Sequence, residues 1–413
     1  MAYKPQDLIN IEKVLVEDVL PFYNNELNIS ASPFLEKVKK TKLRADEARF
    51  GARIGIGGGF GMSKERQATP QANAPIYENF QITSKDAYVD MRISEKTIRL
   101  GRGDPGALLD AVMDNVQASY DAAKWNVGRM AFGDGTGILA HISATASATN
   151  VITVDDTSKL MVGLTVDVYK YATAGATDGT LDAAHSALQI LSIEHNNKKV
   201  TLSANVTTST AQTTSSTYGF LTVQNSYKRE ITGLGAIFAQ TGTLYGLSKA
   251  TNPIIVPRSI DADNDIDDVK LTNAVRWANR VNGVKIDLIM AGDKAYEAYE
   301  KYMRSSNQSI VEKRTFHGGA VGYDIVTGNQ ITTIVNEQFV PSTKMWGVDT
   351  STFELRETGW DYCNHNAQAP AFTLQAGTSE YRALLANYME LICYNPGGCV
   401  ELYDCDAKAN AGG

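Results

Sequence analysis

"YENFQITSKDAYVDMRISEKTIRLGRGDPGALLDAVMDNVQASYDAAKWNVGRMAFGDGTGIL", residues 77 to 139, changes its hydrophobic period partway along. In the first part Phe80, Ile82, Val89, Met91 and Ile93 alternate with polar residues, as in an antiparallel strand with one wet face. Beyond it Leu109, Val112, Met113, Val116, Tyr120, Ala123, Val127 and Met130 recur at three- and four-residue steps, one face of a helix. The junction, LGRGDPGALLD at 100 to 110, admits three readings. Gly101, Gly103 and Gly106 match a dinucleotide fingerprint, Arg102-Gly103-Asp104 spells an integrin tripeptide, and Asp104-Pro105 is a helix start. A dinucleotide strand is buried on both faces, whereas MRISEKTIRL is charged at every second or third position. The tripeptide needs an exposed loop tip and an export route. The helix start accounts for the whole stretch and predicts a helix over 105 to 132, about 40 Å long at 1.5 Å per residue, stopped by GDGTG at 133 to 137.

Upstream, residues 44 to 100 read as a long two-stranded hairpin: a charged rise at Arg44 to Arg53, the glycine run GIGGGFG at 55 to 61, a polar tip, and the alternating return strand. A lone hairpin is barely stable in water, so it implies a neighbouring surface. Residues 1 to 43 hold short helix-capable pieces that cannot form a core alone. Downstream, residues 143 to 226 turn to Thr, Ser and Ala with short strands such as NVITV, GLTVDVYK, ALQILSIE and KKVTLSAN, which reads as a small inserted β-domain. From Glu230 the texture is mixed: a helix at 268 to 281, a buried strand VKIDLIM at 284 to 290, a helix at 293 to 303 capped by Asp293, and strands to the end.

The chain has 413 residues, 39 Lys plus Arg against 46 Asp plus Glu, and a formal charge of -7. That balance lacks the cationic footprint of a specific nucleic-acid binder. Cys363, Cys393, Cys399 and Cys405 are not spaced as a disulfide framework, and a reducing cytosol is expected. The start MAYKPQDLINIEKVLVEDVL has no secretion-signal pattern, and the apolar stretch at 383 to 393, interrupted by Asn387 and Glu390, is too short to span a bilayer. GIGGGFG is followed by no G-K-[S/T], and DADNDIDD at 261 to 268 opens like a calcium loop but has Ile266 and Thr272 where glycine and glutamate belong. Those acids read instead as support for the next helix N-terminus. Cys363 and His365 with Cys399 and Cys405 match no zinc spacing, and His141, His185, His195, His317 and His365 fall in no hydrolase motif. No catalytic, cofactor-binding or metal residue is assigned.

The order of parts resembles the major capsid proteins of tailed bacteriophages, with the Hong Kong 97-like fold. The residues that carry the likeness are YENFQITSKDAYVDMRISEKTIR entering ALLDAVMDNVQASYDAAKWNVGRMAFGDGTGIL, and the pair VKIDLIMAGDKAYEAYEKYM. The resemblance implies an α+β chain with an N-terminal arm at 1 to 43, an extended E-loop hairpin at 44 to 100, and a peripheral domain with a spine helix at 101 to 142. It then implies an inserted β-domain at 143 to 226, an axial domain at 227 to 345, and peripheral return strands at 346 to 413. It further implies a structural, non-enzymatic coat protein without cofactors. Such a protein is made in a bacterial cytoplasm and assembles with itself, as pentamers and hexamers, into an icosahedral head around double-stranded DNA. The expected partners are a separate scaffolding protein, a portal and a decoration protein, with only weak non-specific contact to packaged DNA and no membrane. Some relatives cross-link a hairpin lysine; Lys64 lies near the tip, but no partner is assigned. The alternatives are an encapsulin-like compartment shell, a nucleotide- or metal-dependent enzyme using Gly101 to Gly106 or the Asp261 loop, and an adhesin using Arg102 to Asp104.

Overall fold

The computed structural model describes residues 32–55, 59–65, 68, 71, 74, 76–96, 105–176, 178–208, 217–305, 313–315, 321–327, 330–363 and 372–406. The chain divides into two compact units, one of residues up to Gly128 together with Ala236 onward, the other Arg129–Gly235. In the first unit a 14-residue strand, Glu380–Cys393, organises one sheet. Along one edge it pairs antiparallel with Lys85–Ser94, from Glu380↔Ser94 to Met389↔Lys85. Along the other it pairs in turn with Thr373–Leu374, Asp361–Tyr362 and Phe353–Glu357. Lys39–Lys42 then adds in parallel to Phe353–Glu357. Asn387, which interrupts the apolar run, is buried but satisfied: its Oδ1 accepts from Gly359 N (3.1 Å) and Thr358 Oγ1 (3.2 Å), and its Nδ2 donates to Glu357 Oε2 (3.0 Å).

The helix predicted at the period change runs Pro105–Ala131, after the short helix α1 (Pro33–Lys37), and is α2. Val116, Tyr120, Ala123, Val127 and Ala131 are its buried stripe. Gly101, Arg102, Gly103 and the expected cap Asp104 lie outside the described residues. A dinucleotide fold needs a parallel strand before this helix. The preceding strand is antiparallel and keeps Asp86, Tyr88, Asp90 and Arg92 exposed.

A second sheet of the first unit has the order Arg258–Asp261, Val400–Tyr403, Met345–Val348, Leu288–Ala291, Gln330–Asn336, Val321–Thr327, Lys313–Thr315. After the short helix α3 (Leu234–Phe238), two longer helices pack on this sheet: α4 (Asp268–Asn282) and α5 (Asp293–Ser305). α4 buries Leu271, Ala274, Val275 and Ala278, is capped by Asp267 Oδ1 accepting from Lys270 N (2.6 Å), and ends at Gly283, whose φ of 65° is the left-handed position glycine tolerates. Two expectations are corrected. The strand read over 284 to 290 runs instead Leu288–Ala291. At its entry the Asp287 backbone still donates to Val348 O (3.2 Å) and accepts from Thr333 N (3.0 Å), while its carboxylate accepts from Thr350 N (2.8 Å) and Thr350 Oγ1 (2.7 Å). Asp293 is the first helical residue rather than a cap. Its Oδ1 accepts from Asn336 Nδ2 (3.0 Å), while Ala295 N donates to Ser342 O (2.9 Å).

The second unit is a β-barrel. Its sheet order is Ile138–Ile142, Gly219–Val223, Thr165–Tyr171, Leu188–Glu194, Lys199–Val206, Thr149–Thr153, with Gly179–Leu181 added to Thr165–Tyr171. The first and last strands are themselves joined: Ile142 bridges Val154, Ser143 N donates to Thr153 O (3.0 Å) and Asp155 N to His141 O (2.9 Å). Closure removes both long edges. Ile142, Ile152, Val154, Val166, Val168, Ile190, Val200, Leu202 and Leu221 fill the interior. The unit takes in residues on either side of 143 to 226, and its two ends are fastened by an ion pair. Arg129 donates from Nη1 to Glu230 Oε2 (2.9 Å) and from Nη2 to Glu230 Oε1 (2.5 Å), with both side chains 3% exposed.

Candidate functional site

The hairpin is the first surface that asks for a partner. Glu47–Gly55 pairs antiparallel with Ile76–Thr83, from Glu47↔Thr83 to Gly55↔Ile76. Its base is built into its own chain. Phe80 is buried against Phe50 (ring centroids 5.2 Å) and Tyr245 (5.6 Å), and Tyr245 in turn donates its hydroxyl to Leu391 O (3.0 Å) and accepts from Cys393 N (3.1 Å). Toward the tip that support ends: Tyr77 is exposed, and Phe60 and Met62 are 94% and 95% exposed. Large apolar side chains so placed are the mark of an interaction surface. Lys64 is also exposed near this tip.

The residues weighed for chemistry do not converge. Among the described residues no group of three or more His, Cys, Asp and Glu is placed to hold a metal ion. Cys393, Cys399 and Cys405 are buried and free, and Cys363 is exposed. Burial pushes the Cys405 thiol up to about 12, and a hydrogen bond to Cys393 together with burial pushes Cys399 well above its ordinary value. Thiols held protonated are core residues rather than ligands or nucleophiles. His365 and His317 lie outside the described residues. His185 Nδ1 meets Asp182 Oδ2, His195 Nδ1 meets Thr157 Oγ1 (3.0 Å), and His141 packs its ring on Phe220. Of the three only His195 meets a hydroxyl, that of Thr157, and no carboxylate among the described residues is hydrogen-bonded to its ring.

In the Asp261 loop, Asp261 Oδ1 accepts from Asp263 N (2.8 Å), and Asp263 and Asn264 both take left-handed φ, 51° and 52°. The carbonyls a cation would use are taken by Lys270, whose Nζ donates to Ala262 O and Asp265 O at 2.7 Å each. The chain supplies its own ammonium there.

One feature was within reach of a sequence reading and escaped it. Lys37, Lys39, Lys40, Lys42 and Arg44 put five cations into eight residues of an acidic chain. Lys37 pairs with Asp287 (3.4 Å), while Lys39, Lys42 and Arg44 are exposed. Beside them lies a groove of about 450 Å³ lined by Lys42, Arg44, Arg356 and Glu354 among others.

No protein-family model and no curated protein sequence matches the chain. Solved structures do. A chain of the cyanophage A-1(L) capsid asymmetric unit is 13% identical and superposes with a TM-score of 0.50, over 93% of this chain and 92% of that one. The chain has the Hong Kong 97-like capsid fold. The capsid of the native GTA particle is 9% identical, with a TM-score of 0.49 over 92% and 90% of the two chains. The SrpI encapsulin of Synechococcus elongatus PCC 7942 is 9% identical, with a TM-score of 0.43 over 93% and 91%. No described helix is long and apolar enough to cross a membrane.

Proposed function

We propose that the chain is the major capsid protein of a tailed bacteriophage or prophage, assembling with itself into an icosahedral head that encloses double-stranded DNA. The observation that carries this reading is the end-to-end fold shared with the cyanophage A-1(L) capsid chain. The uncovered aromatic and methionine side chains of the hairpin tip support it, since an isolated subunit has no use for them. In this reading residues 1 to 43 hold the arm and 44 to 100 the hairpin. Lys39–Lys42 and Lys85–Ser94 are anchored in their own chain's sheet, and the uncovered tip around Phe60 and Met62 is the part that lies on an adjacent copy. Helix α2 is the spine of a peripheral domain completed by residues 346 to 413, the axial domain is 227 to 345, and the barrel decorates or braces the shell. The chain acts by geometry rather than catalysis: extended and compact parts present different surfaces to successive neighbours, and closure follows from repeating one heterologous contact. A scaffolding protein, a portal and a decoration protein are its partners, the packaged DNA is touched only weakly, and assembly takes place in the host cytoplasm.

The test is multi-angle light scattering with negative-stain electron microscopy on the purified chain, alone and co-expressed with its neighbouring scaffold candidate. Closed shells of uniform diameter, or pentamers and hexamers that build them, are expected. A monomer or dimer under both conditions overturns the proposal. Shells that enclose an enzyme and no DNA in the native host would replace it by the compartment reading.

A further inference from the structure

The cationic strip at Lys39–Arg44 and the acidic loop at Asp261–Asp268 are matched in charge and are both displayed outward. The strip concentrates five cations in residues 37 to 44, and the loop five aspartates in residues 261 to 268. Lys39–Lys42 pairs with Phe353–Glu357 on one side only among the described strands, so it is a sheet edge. Lysines on an edge strand commonly serve only to prevent edge-to-edge pairing. Here a groove opens beside them. Its Glu354 is engaged by Thr41, Tyr394 and Arg356, which leaves Lys42 and Arg44 as cations without an ion-pair partner among the described residues.

The loop is built to project. Ala262 and Ile266 are buried and hold it at two points, Lys270 ties its carbonyls from below, and the two left-handed residues turn Asp263 and Asp265 outward. Asp263 and Asp265 are exposed and have no cationic partner among the described residues.

We propose that the Lys39–Arg44 groove receives the Asp261–Asp268 loop of a second copy of this chain. A donor and an acceptor surface at different places on one chain make a head-to-tail contact, which closes into a ring when the rotation per copy allows it. Charges at such a contact set orientation and partner choice more than affinity. The inference rests on the capsid reading, because a ring of copies is what gives the contact its use.

The experiment compares shell yield, by sedimentation and electron microscopy at low salt, for the wild type and three full-length variants. The strip variant is Lys39→Glu with Lys42→Glu. The loop variant is Asp263→Asn with Asp265→Lys, asparagine being chosen at 263 because φ there is 51°. The third variant combines all four substitutions. Each single-surface variant is expected to lose about tenfold in assembly rate, steeply dependent on salt. The combined variant restores opposite charge between positions 39 and 42 of the strip and position 265 of the loop, and is expected to assemble faster than either single-surface variant though short of the wild type. This regain also shows that the variants fold. Single-surface variants that assemble like the wild type, or a combined variant that recovers nothing, overturn the pairing. So do normal shells of the strip variant that merely retain less DNA, which would assign the strip to nucleic acid. A wild type that forms no assembly fails the capsid reading itself, whereas wild-type shells with unaffected variants fail this pairing alone.

Discussion

Replacing Glu230 by glutamine tests how the second unit is fastened. The carboxylate meets Arg129 through two parallel hydrogen bonds of 2.9 and 2.5 Å, and both side chains are 3% exposed. Arg129 Nε has no hydrogen-bond partner, so the fork is the outlet for the guanidinium charge. Glutamine keeps one acceptor but aims an NH2 group at an NH2 group, leaving a buried cation without its counter-charge. Removing one member of such a pair costs about 3–5 kcal/mol. At about 4 °C per kcal/mol for a domain of about 100 residues, the thermal unfolding midpoint of the second unit, Arg129–Gly235, falls by roughly 15 °C. Removing both charges is different in kind: Arg129→Met with Glu230→Leu fills the same space without a desolvated ion and costs within about 1 kcal/mol of nothing. The assay is urea unfolding of the unassembled full chain, with hydrogen exchange of the strands between Ile138 and Val223 reporting on the barrel. A loss below about 1 kcal/mol for Glu230→Gln, the level of an exposed pair, refutes the reasoning. So does a double variant as damaged as the single one.

Three further outcomes follow from other sites. Burial raises the Glu337 carboxyl from 4.5 to about 7, against hydrogen bonds from Ser32 Oγ (2.7 Å) and the amides of Gln338 and Phe339. The folded state therefore holds a proton that the unfolded state has released, stability is full below about pH 4.5 and is lost as pH rises through about 7, by up to about 3 kcal/mol. Thermal midpoints between pH 5 and 8 should fall for the wild type and stay level for Glu337→Gln; parallel curves would count against it. Gly233→Ala places a Cβ 2.4 Å from Met130 O, 2.6 Å from Gly133 O and 2.7 Å from Ala131 O, all backbone. Chemical denaturation should show a loss of about 3 kcal/mol, and a change under about 0.5 kcal/mol would contradict the packing. Lys249 Nζ donates to Ala236 O (2.8 Å), Ile237 O (2.7 Å) and Ala239 O at the end of α3, and burial lowers its pKa to about 8. Lys249→Met strips those carbonyls and should cost about 2 kcal/mol at pH 7 by the same denaturation assay, a gain in stability being the contrary result.

What the sequence disclosed follows from the range of the interactions involved. Helix α2 was legible because its stripe, Val116 through Ala131, is written in local steps and Pro105 marks its start. The hairpin was legible from the alternation of Phe80 and Ile82, but its reading over 44 to 100 was too long. The strand ends at Thr83, and Val89, Met91 and Ile93 belong to a separate strand, Lys85–Ser94, that pairs with Glu380–Cys393 from far along the chain. Closure of the barrel was not, since it depends on Ile142 meeting Val154 across a turn and on strands that meet from far along the chain. The late start of the strand read from 284 and the demotion of Asp293 both lie beyond local sequence. Thr350 and Asn336, remote in sequence, claim the two carboxylates. Of the surfaces proposed for assembly, Phe60 and Met62 stand out only once the base of the hairpin is seen to be covered and the tip is not. The cationic run at 37 to 44 was in plain view, but a net charge of -7 over 413 residues averages it away.

That averaging bears on how an acidic chain of this fold assembles. A charge of -7 on every copy opposes association, and the opposition grows with the number of copies brought together. Apolar burial at the hairpin tip is non-directional and cannot by itself choose one neighbour over another. A separated pair of charge clusters does both jobs. The cations of residues 37 to 44 and the aspartates of 261 to 268 convert part of the self-repulsion into an attraction that exists in only one relative orientation. Since exposed pairs contribute about 0–1 kcal/mol each, the orientation is enforced weakly at any one contact and can be undone and corrected while a ring is still incomplete. In the proposed shell, burial of Phe60, Met62 and Tyr77, all exposed on the single chain, would then supply the affinity that a finished assembly requires.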